Sequence, residues 1–397
     1  MKYRCIECGK EYDLKEVRYR CDCLGLLEVV DEWKVDINKL RQRPFGVWRY
    51  RELLPVTSNR IITLNEGGTH LHECKSLAKE IGIRKLWVKN EGENPTGSFK
   101  DRGMTVGITK ALEYGFDRVG CASTGNTAAS MSAYAAKAGI DAIVLLPAKK
   151  IAFGKLAQTM IYGAKIIAIR DNFDQAMDFI WRVTKQHRIY LLNSINPFRL
   201  EGQKTLGFEI MDQLDFSSPD RIILPIGNAG NISALWKAMR ELRELDLIDQ
   251  IPRLMGIQAE GASPIVDMIQ GKSKFKPVAK PETIASAIRI GNPVNWPKAI
   301  RAIRDSKGSV AKVSDREILR AQKTLAQREG IFVEPASAAS IAGLKKLLRD
   351  GKIGKDEEVV CVTTGNGLKD PDMVVEELKR NIIEIEPDFD KLEKIIG

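Results

Sequence analysis

A lysine in a short polar loop is the residue of this sequence that best suits covalent chemistry. Lys100 lies in segment 94–103, N-P-T-G-S-F-K-D-R-G, which follows a predicted strand and turns through proline and glycine before a helix. The partial positive charge at a helix N-terminus disfavours an ammonium group and lowers the pKa of the amine. A neutral amine can form a Schiff base with an aldehyde. The alternative is a surface lysine in an ordinary first helical turn.

Three further loops could bind anions or polar ring atoms, because each follows a predicted strand and is rich in small polar residues. Segment 123–130, S-T-G-N-T-A-A-S, would present helix N-terminal N–H groups to a carboxylate or phosphate. Segment 227–231, G-N-A-G-N, has two glycines that would let the backbone approach a phosphate. In segment 363–367, T-T-G-N-G, a hydroxyl could bond a heteroaromatic nitrogen. Each loop alone could be a capped helix or plain turn, but four together favour one binding site.

Four of the seven cysteines lie within the first 23 residues. Cys5 and Cys8 form a C-x-x-C pair, Cys21 and Cys23 form a tighter C-x-C pair, and twelve residues separate the pairs. This spacing predicts a small zinc ribbon whose four thiolates fill a tetrahedral structural site. A ribbon without metal, or simply reduced thiols, is the alternative.

Other catalytic classes find little support. The chain has three histidines, His70, His72 and His187, and lacks H-E-x-x-H, G-x-S-x-G and complete phosphate-loop motifs. The net charge of +10 is spread over segments that also carry acids, so it indicates no concentrated nucleic-acid surface. A nucleic-acid-binding protein built around the ribbon is the rival class, and steeply salt-dependent binding would support it.

The elements that must position these loops alternate between short apolar runs and longer helical patterns. This alternation predicts an α/β fold of two lobes, with parallel sheets flanked by helices and a small N-terminal module. Ligands of such sheets bind beyond the carboxyl ends of the strands. The predicted strands are 86–89, 118–122, 142–146, 165–169, 189–192, 221–225, 254–259 and 359–362. The predicted helices are 128–138, 173–185, 200–214, 232–245 and 315–327, with 374–383 as a packed or subunit-facing helix.

These motifs together resemble the fold-type II pyridoxal-phosphate (PLP) enzymes, and within them the threonine synthase branch. S-F-K-D-R-G at 98–103 carries the likeness to the family. N-P-F-R-L-E-G-Q-K-T at 196–205 and I-R-I-G-N-P at 288–293 carry the likeness to the branch. The matching segments run in the family's order from about residue 65 to 370, about three-quarters of the chain. They are 92–103, 123–130, 193–205, 227–231, 284–293, 334–338 and 364–370.

The resemblance implies a role for each matching residue. Lys100 would carry the Schiff base and then move protons. The cofactor would contact Phe99, Asn126 at its 3′-oxygen, the phosphate-binding backbone of Gly227, Asn228, Ala229, Gly230 and Asn231, and Thr364 at its pyridine nitrogen. The substrate's carboxylate and phosphate would bind Ser123, Thr127, Asn193, Ser194 and Arg199. A hydroxyl such as that of Thr364 cannot hold a proton on the ring nitrogen as a carboxylate can, so the ring would be a weaker electron sink.

The implied activity converts O-phosphohomoserine and water to L-threonine and phosphate. Cysteate synthase, which uses phosphoserine and sulfite, is a close alternative, and related PLP-dependent lyases share the lysine loop. Asn366 departs from the family, where many members have histidine, which puts a ring contact from this position in doubt. The resemblance further implies a homodimer, a large PLP domain (31–90 and 197–397), a smaller lysine-bearing domain (91–196) and a zinc-ribbon-like module (1–30). The N-terminus has no secretory pattern, so a cytoplasmic location is expected.

Overall fold

Three β-sheets and their covering helices make up the computed structural model, which describes residues 1–147, 153–169, 186–271, 274–378, 382–387 and 389–396. The strands are β1 (Lys2–Cys5), β2 (Glu11–Asp13), β3 (Leu27–Val30), β4 (Leu71–Glu73), β5 (Lys85–Asn90), β6 (Arg118–Ala122), β7 (Asp141–Pro147), β8 (Lys165–Ile169), β9 (Tyr190–Leu191), β10 (Arg221–Pro225), β11 (Arg253–Ala259), β12 (Ser309–Val313) and β13 (Glu358–Thr363). The helices are α1 (Ile37–Arg41), α2 (Lys75–Ile81), α3 (Lys100–Glu113), α4 (Asn126–Ala138), α5 (Phe153–Ile161), α6 (Pro197–Gln213), α7 (Gly230–Glu244), α8 (Pro264–Gly271), α9 (Trp296–Asp305), α10 (Asp315–Glu329), α11 (Pro335–Arg349), α12 (Asp372–Leu378) and α13 (Phe389–Ile396). Within these ranges no helix combines the length and apolarity needed to cross a bilayer.

The largest sheet has six strands in the order β12-β11-β10-β13-β5-β4. All neighbours are parallel except the edge strand β4, which runs antiparallel to β5. Strand β13 shows why helices must cover both faces. Val359 and Cys361 pack into one hydrophobic cluster, whereas Val360 and Val362 pack into another on the opposite face. Successive side chains of a strand point to opposite faces, so an uninterrupted apolar run is typical of a doubly covered parallel strand.

A second sheet of four parallel strands has the order β8-β7-β6-β9. Helices α3 and α4 follow strands of different sheets but pack against each other, and α3 also packs along α6. The contact between α3 and α6 is close because Gly202 faces the α3 backbone. A methyl group at Gly202 would lie 2.0 Å from the carbonyl oxygen of Arg102. The helix that begins at Lys100 is therefore fixed against α6.

The N-terminal residues form a small antiparallel sheet in the order β2-β1-β3. Leu26 beside this sheet packs with Ala122 and Leu191 of the four-stranded sheet. The Tyr3 ring meets the Phe198 ring of α6 edge-on, at 5.7 Å between centroids. The module thus has its own short sheet and is anchored to the rest of the chain by apolar contacts.

The structure confirms the predicted α/β class and each predicted strand, with small changes at the ends. The predicted helix 173–185 lies outside the described residues. Of the predicted packed or subunit-facing helix over 374–383, the structure describes helix α12 (Asp372–Leu378), whereas residues 379–381 lie outside the described residues. Val375 on this helix is 61% exposed, and Ile382 and Ile383 are exposed beyond it. An apolar spacing can indicate a buried face, but it does not say what covers that face.

Candidate active site

Strand order brings the four polar loops to one region. Strands β10, β13 and β5 are neighbours in the large sheet, and their carboxyl ends lead into the loops at 226–229, 364–366 and 91–99. Strands β6 and β9 are neighbours in the small sheet and lead into 123–125 and 192–196. Parallel strands end at the same edge of a sheet, so their following loops can share one site.

The lysine loop is held by the loop that follows β13. The backbone N–H of Phe99 donates to the carbonyl oxygen of Thr364 at 3.1 Å. Ser98 and Gly365 form an isolated antiparallel bridge. Helix α3 begins at Lys100, and the next residue, Asp101, accepts hydrogen bonds from the backbone N–H and hydroxyl of Thr96 at 2.7 and 2.6 Å. The position of Lys100 is therefore fixed from both sides.

A fully buried ionic network lies behind this loop. Arg102 on α3 donates to Glu91 at 2.7 Å and to Glu209 on α6 at 2.8 Å. Lys89 at the end of β5 also donates to Glu209, at 2.6 Å. All four side chains have 0% exposure. Buried charges are tolerated when each has opposite charges and hydrogen bonds around it, and here they join β5, α3 and α6 beneath the site.

The Lys100 amine has the electrostatics expected of a nucleophile. Its Nζ lies over the Phe99 ring, 3.9 Å from the centroid. Burial of the amine, together with the positive charge of Arg199, lowers the pKa of Lys100 to about 7, although Glu334 opposes the shift. The predicted direction of the pKa shift is correct. Its main cause is desolvation rather than the helix dipole invoked from the sequence.

Asn126 and Glu334 form a buried pair near this amine. The Asn126 amide nitrogen lies 3.1 Å from each Glu334 carboxylate oxygen. The amide oxygen of Asn126 is buried and has no partner among the described residues. Glu334 precedes α11 and is 1% exposed. The pair orients Asn126 so that its oxygen remains available.

Thr364 is positioned by Ser337 in the first turn of α11. The Ser337 hydroxyl oxygen accepts from the backbone N–H groups of Thr364 and Gly365 at 2.8 Å each, and lies 3.0 Å from the Thr364 hydroxyl. Asn366 does something different from a ring contact. Its side-chain oxygen accepts from Leu368 N–H and caps a short 3₁₀ turn.

Arg199 is a buried cation with spare donors. It is 1% exposed, and only its Nη1 has a partner among the described residues, the Leu192 carbonyl oxygen at 3.1 Å. Its Nε and Nη2 are buried without one. Burial lowers the pKa of Arg199 to about 10. An unpaired buried guanidinium is costly, so this geometry is typical of a site for a planar or tetrahedral oxyanion.

The other predicted substrate residues surround the ends of β6 and β9. Ser123 and Thr127 flank the start of α4 and are partly buried. The side-chain amide of Asn193 makes two hydrogen bonds to the backbone of Ala122. Its oxygen accepts from the Ala122 N–H, and its nitrogen donates to the Ala122 carbonyl oxygen, at 3.0 Å each. Ser194 is partly buried and lies near Gly230 of the glycine loop. Asn193 therefore ties two loops together, whereas the hydroxyls lie closer to where a ligand could bind.

The glycine loop has one unusual backbone residue. Ala229, not a glycine or asparagine, adopts the left-handed conformation, with φ 62°, just before α7. Such a conformation costs a non-glycine residue of order 1 kcal/mol. Asn231 is buried, and both polar atoms of its side chain lack partners among the described residues. This turn starts α7 directly beyond the carboxyl end of β10, and the first N–H groups of a helix at such a position can bind a phosphate.

These features fit PLP. The buried, unpartnered polar atoms of Asn126, Asn231 and Arg199 lie in the first turns of α4, α7 and α6, the helices that follow strands β6, β10 and β9. An aldehyde needs a neutral amine, and a phosphate needs free N–H donors. The predicted residues are thus brought to one region, except for the four N-terminal cysteines, which form a separate cluster.

The four sulfur atoms of that cluster all lie within 4.8 Å of one another. The distances are 3.6 Å for Cys5 to Cys23, 3.5 Å for Cys8 to Cys21 and 3.4 Å for Cys8 to Cys23. All four cysteines are free thiols rather than disulfides. Zinc–sulfur bonds of about 2.3 Å in a tetrahedron require sulfur atoms about 3.8 Å apart. The cluster is compatible with one zinc ion.

Two residues of the site were given no role from the sequence, Glu334 and Ser337. A single glutamate or serine in a polar turn produces no periodic signal. The available signal was the Glu-Pro pair before a small-residue run, because proline favours the first position of a helix and so places Glu334 at a helix start.

Comparisons with known proteins agree with this site. Residues 62–365 match the family model described as "Pyridoxal-phosphate dependent enzyme". The threonine synthase of Methanocaldococcus jannaschii is 57% identical over 403 aligned positions, covering 100% of this chain and 99% of that protein. The threonine synthase of Methanosarcina acetivorans is 58% identical over 378 positions, covering 94% and 93%.

A solved structure supports the fold independently. Diaminopropionate ammonia lyase from Escherichia coli aligns with a TM-score of 0.68 at 16% identity, over 81% of this chain and 89% of that one. At this identity the match concerns the fold alone. The near-complete similarity to two threonine synthases goes further, and we conclude that the chain belongs to the pyridoxal-phosphate-dependent enzymes and, within them, to the threonine synthases.

Proposed function

We propose that this enzyme converts O-phosphohomoserine and water to L-threonine and phosphate at the Lys100 site, acting as a PLP-dependent carbon–oxygen lyase. The observation that carries the proposal is the lowered pKa of the Lys100 amine near a buried Arg199, two of whose donors have no partner among the described residues. An amine alone would suit many PLP enzymes. A buried oxyanion site beside it favours a substrate that brings its own phosphate.

Each site residue has a proposed task. When bound, PLP supplies an electron sink that stabilises negative charge on the carbon next to the substrate nitrogen. Lys100 Nζ would hold the cofactor covalently, and the amine would then take protons from substrate Cα and Cβ. Phe99 and Asn126 would border the cofactor ring, Thr364 would donate its hydroxyl to the pyridine nitrogen, and the phosphate would be bound by the backbone of Gly227, Asn228, Ala229, Gly230 and Asn231.

Other residues of the site would bind the phosphate and carboxylate of the substrate. We propose that Arg199 and Ser194 bind the phosphate that leaves from Cγ, while Ser123 and Thr127 bind the carboxylate with the N–H groups of α4. Asn193 acts through the Ala122 backbone that it holds. The burial of Arg199 excludes water from the leaving group until it departs. A proton then returns from Lys100 to Cγ, water adds at Cβ, and a proton returns to Cα.

The substrate assignment is tested by a product assay. The purified enzyme is incubated separately with O-phosphohomoserine and with phosphoserine plus sulfite, and threonine, cysteate and phosphate are measured. We expect threonine and phosphate in equal amounts from the first mixture. Cysteate formation from the second, without threonine from the first, would instead assign the enzyme to the cysteate synthase reaction.

The charges around Lys100 predict how the apoenzyme recombines with PLP. Only the neutral amine attacks the aldehyde, so the recombination rate should rise with pH and level off above an apparent pKa of about 7. Glu334 raises the pKa of Lys100, so Glu334→Gln should move this profile to lower pH. The exposed Glu244→Gln serves as the control and should leave it unchanged. A shift of the Glu334→Gln profile to higher pH, or none, would contradict the assigned electrostatics.

We propose further that Cys5, Cys8, Cys21 and Cys23 bind one structural zinc ion. The thiol distances and the four-cysteine spacing support this. Metal analysis should find about one zinc per chain, which Cys8→Ser or Cys21→Ser removes together with part of the thermal stability. Cys74→Ala should retain the zinc, since Cys74 lies outside the cluster. Protein with intact thiols and no zinc would refute the proposal.

The remaining organisation is also proposed. The enzyme would be a homodimer, which the exposed apolar side chains of the C-terminal segment, including Val375 and Ile396, support. A cytoplasmic location is favoured because a four-thiolate site needs reduced cysteines. The domain division into 1–30, 31–90 with 197–397, and 91–196 is supported by the strand content of the three sheets. Light scattering at micromolar concentration tests the dimer.

A further inference from the structure

Two of the chain's three histidines, His70 and His72, lie within hydrogen-bond distance of the Glu93 carboxylate, outside the Lys100 site. His70 precedes β4, the edge strand of the large sheet, and His72 lies within it. Residues two apart in an extended segment point to the same side, and the two rings lie 5.5 Å apart between centroids. Glu93 belongs to the 3₁₀ turn Glu91–Glu93 that follows β5, the strand paired with β4.

The ligand atoms of these three side chains converge. His70 Nδ1 is 2.8 Å from one Glu93 carboxylate oxygen, and His72 Nε2 is 3.0 Å from the other. All three ligand atoms lie within 4.8 Å of one another. Metal–ligand bonds of about 2.1 Å in a tetrahedron place ligand atoms about 3.4 Å apart. Small side-chain rotations would therefore open the space that an ion needs.

The carboxylate is held in place by groups other than the two rings. Glu93 also accepts from the backbone N–H of His70 at 2.7 Å and from the Asn90 amide at 3.0 Å. Outer hydrogen bonds of this kind orient a ligand before the metal arrives and strengthen binding. The side chains of His70, His72 and Glu93 are 77%, 37% and 29% exposed. Water can therefore reach the position between them and complete a coordination shell.

We propose that His70, His72 and Glu93 bind one divalent transition-metal ion, such as Zn²⁺ or Ni²⁺, with water in the remaining positions. Imidazole ligands favour such ions over Mg²⁺ or Ca²⁺, which prefer oxygen. The bound ion links the edge strand β4 to the turn that leads into the lysine loop, because Glu93 is seven residues before Lys100. The site is separate from the four-cysteine cluster and does not depend on the proposed reaction.

The test is a Ni²⁺ titration of the PLP-loaded enzyme by calorimetry, with zinc retained only at the thiol site and all other bound metal removed beforehand. Wild type should bind one equivalent of Ni²⁺ at least ten times more tightly than His72→Gln or Glu93→Gln. His187→Gln is the matched control, since it removes the third histidine of the chain, which is exposed and outside the cluster. Equal binding by wild type and His72→Gln, or loss of binding in His187→Gln, would overturn the proposal.

A second measurement identifies the ligands directly. One equivalent of Cu²⁺ on wild type should give an electron paramagnetic resonance spectrum with splitting from two imidazole nitrogens. His70→Gln and His72→Gln should each reduce this to one nitrogen, and His187→Gln should leave two. A spectrum that is the same in all four proteins would assign the copper to another place and overturn the site.

Discussion

Lys100→Ala is expected to lower kcat at least ~10³-fold, which corresponds to about 4 kcal/mol of lost transition-state stabilisation. The variant loses both the covalent attachment of the cofactor and the base that moves protons at Cα and Cβ. It should also lose the visible absorption that the lysine-bound cofactor gives. Steady-state assays with O-phosphohomoserine and an absorption spectrum measure the two losses together.

The exposed Lys137 on α4 provides a matched control. Lys137→Ala should keep both turnover and absorption. Lys100→Arg keeps a positive charge but cannot become a neutral nucleophile near pH 7, so it should be as inactive as the alanine variant. Turnover by Lys100→Ala within a factor of ten of wild type would show that another group does the chemistry.

Arg199→Gln is expected to lower kcat/KM for O-phosphohomoserine by ~10²-fold, about 2.7 kcal/mol, mostly through a higher KM. The substitution removes two buried donors that have no partner among the described residues. The kcat/KM of Arg199→Lys should lie between those of wild type and Arg199→Gln, because an ammonium restores the charge but not the planar fork of the guanidinium. Inorganic phosphate should inhibit wild type and lose its effect on Arg199→Gln.

The same variant should change the titration of Lys100. Since the positive charge of Arg199 lowers the pKa of Lys100, its removal should move the PLP recombination profile to higher pH, opposite to the shift expected for Glu334→Gln. The exposed Arg304→Gln on α9 should change neither KM nor the profile. An unchanged KM accompanied only by lower thermal stability would limit Arg199 to a structural role.

Much of the fold could be predicted because its strands are strong local signals. The run E-V-V-C-V-T at β13 is apolar, β-branched and flanked by polar turns, so it indicates a buried strand without knowledge of its neighbours. Strand β12, S-V-A-K-V, was missed because its lysine and small residues interrupt the pattern. Strand β4 has only three residues, and its pairing with β5 depends on tertiary contacts.

The candidate site also contains some features that the local sequence predicts and others that depend on tertiary contacts. The lysine loop has a distinctive order of residues, and Lys100 starts its helix as predicted. Glu334 could not be assigned in this way, because its contact with Asn126 joins residues 208 positions apart. The cause of the Lys100 pKa shift was likewise hidden, since burial and the approach of Arg199 arise only when α3 packs on α6. Local patterns identify reactive groups, whereas their electrostatics depend on packing.

The central claim is that Lys100 Nζ is the atom joined to PLP, and reduction followed by peptide mapping tests it most directly. Borohydride treatment of the PLP-loaded enzyme should fix the cofactor on one peptide, with the added mass on Lys100, and Lys100→Ala should carry none. A label on Lys89, Lys110 or another lysine in wild type, or the same label in both proteins, would contradict the account.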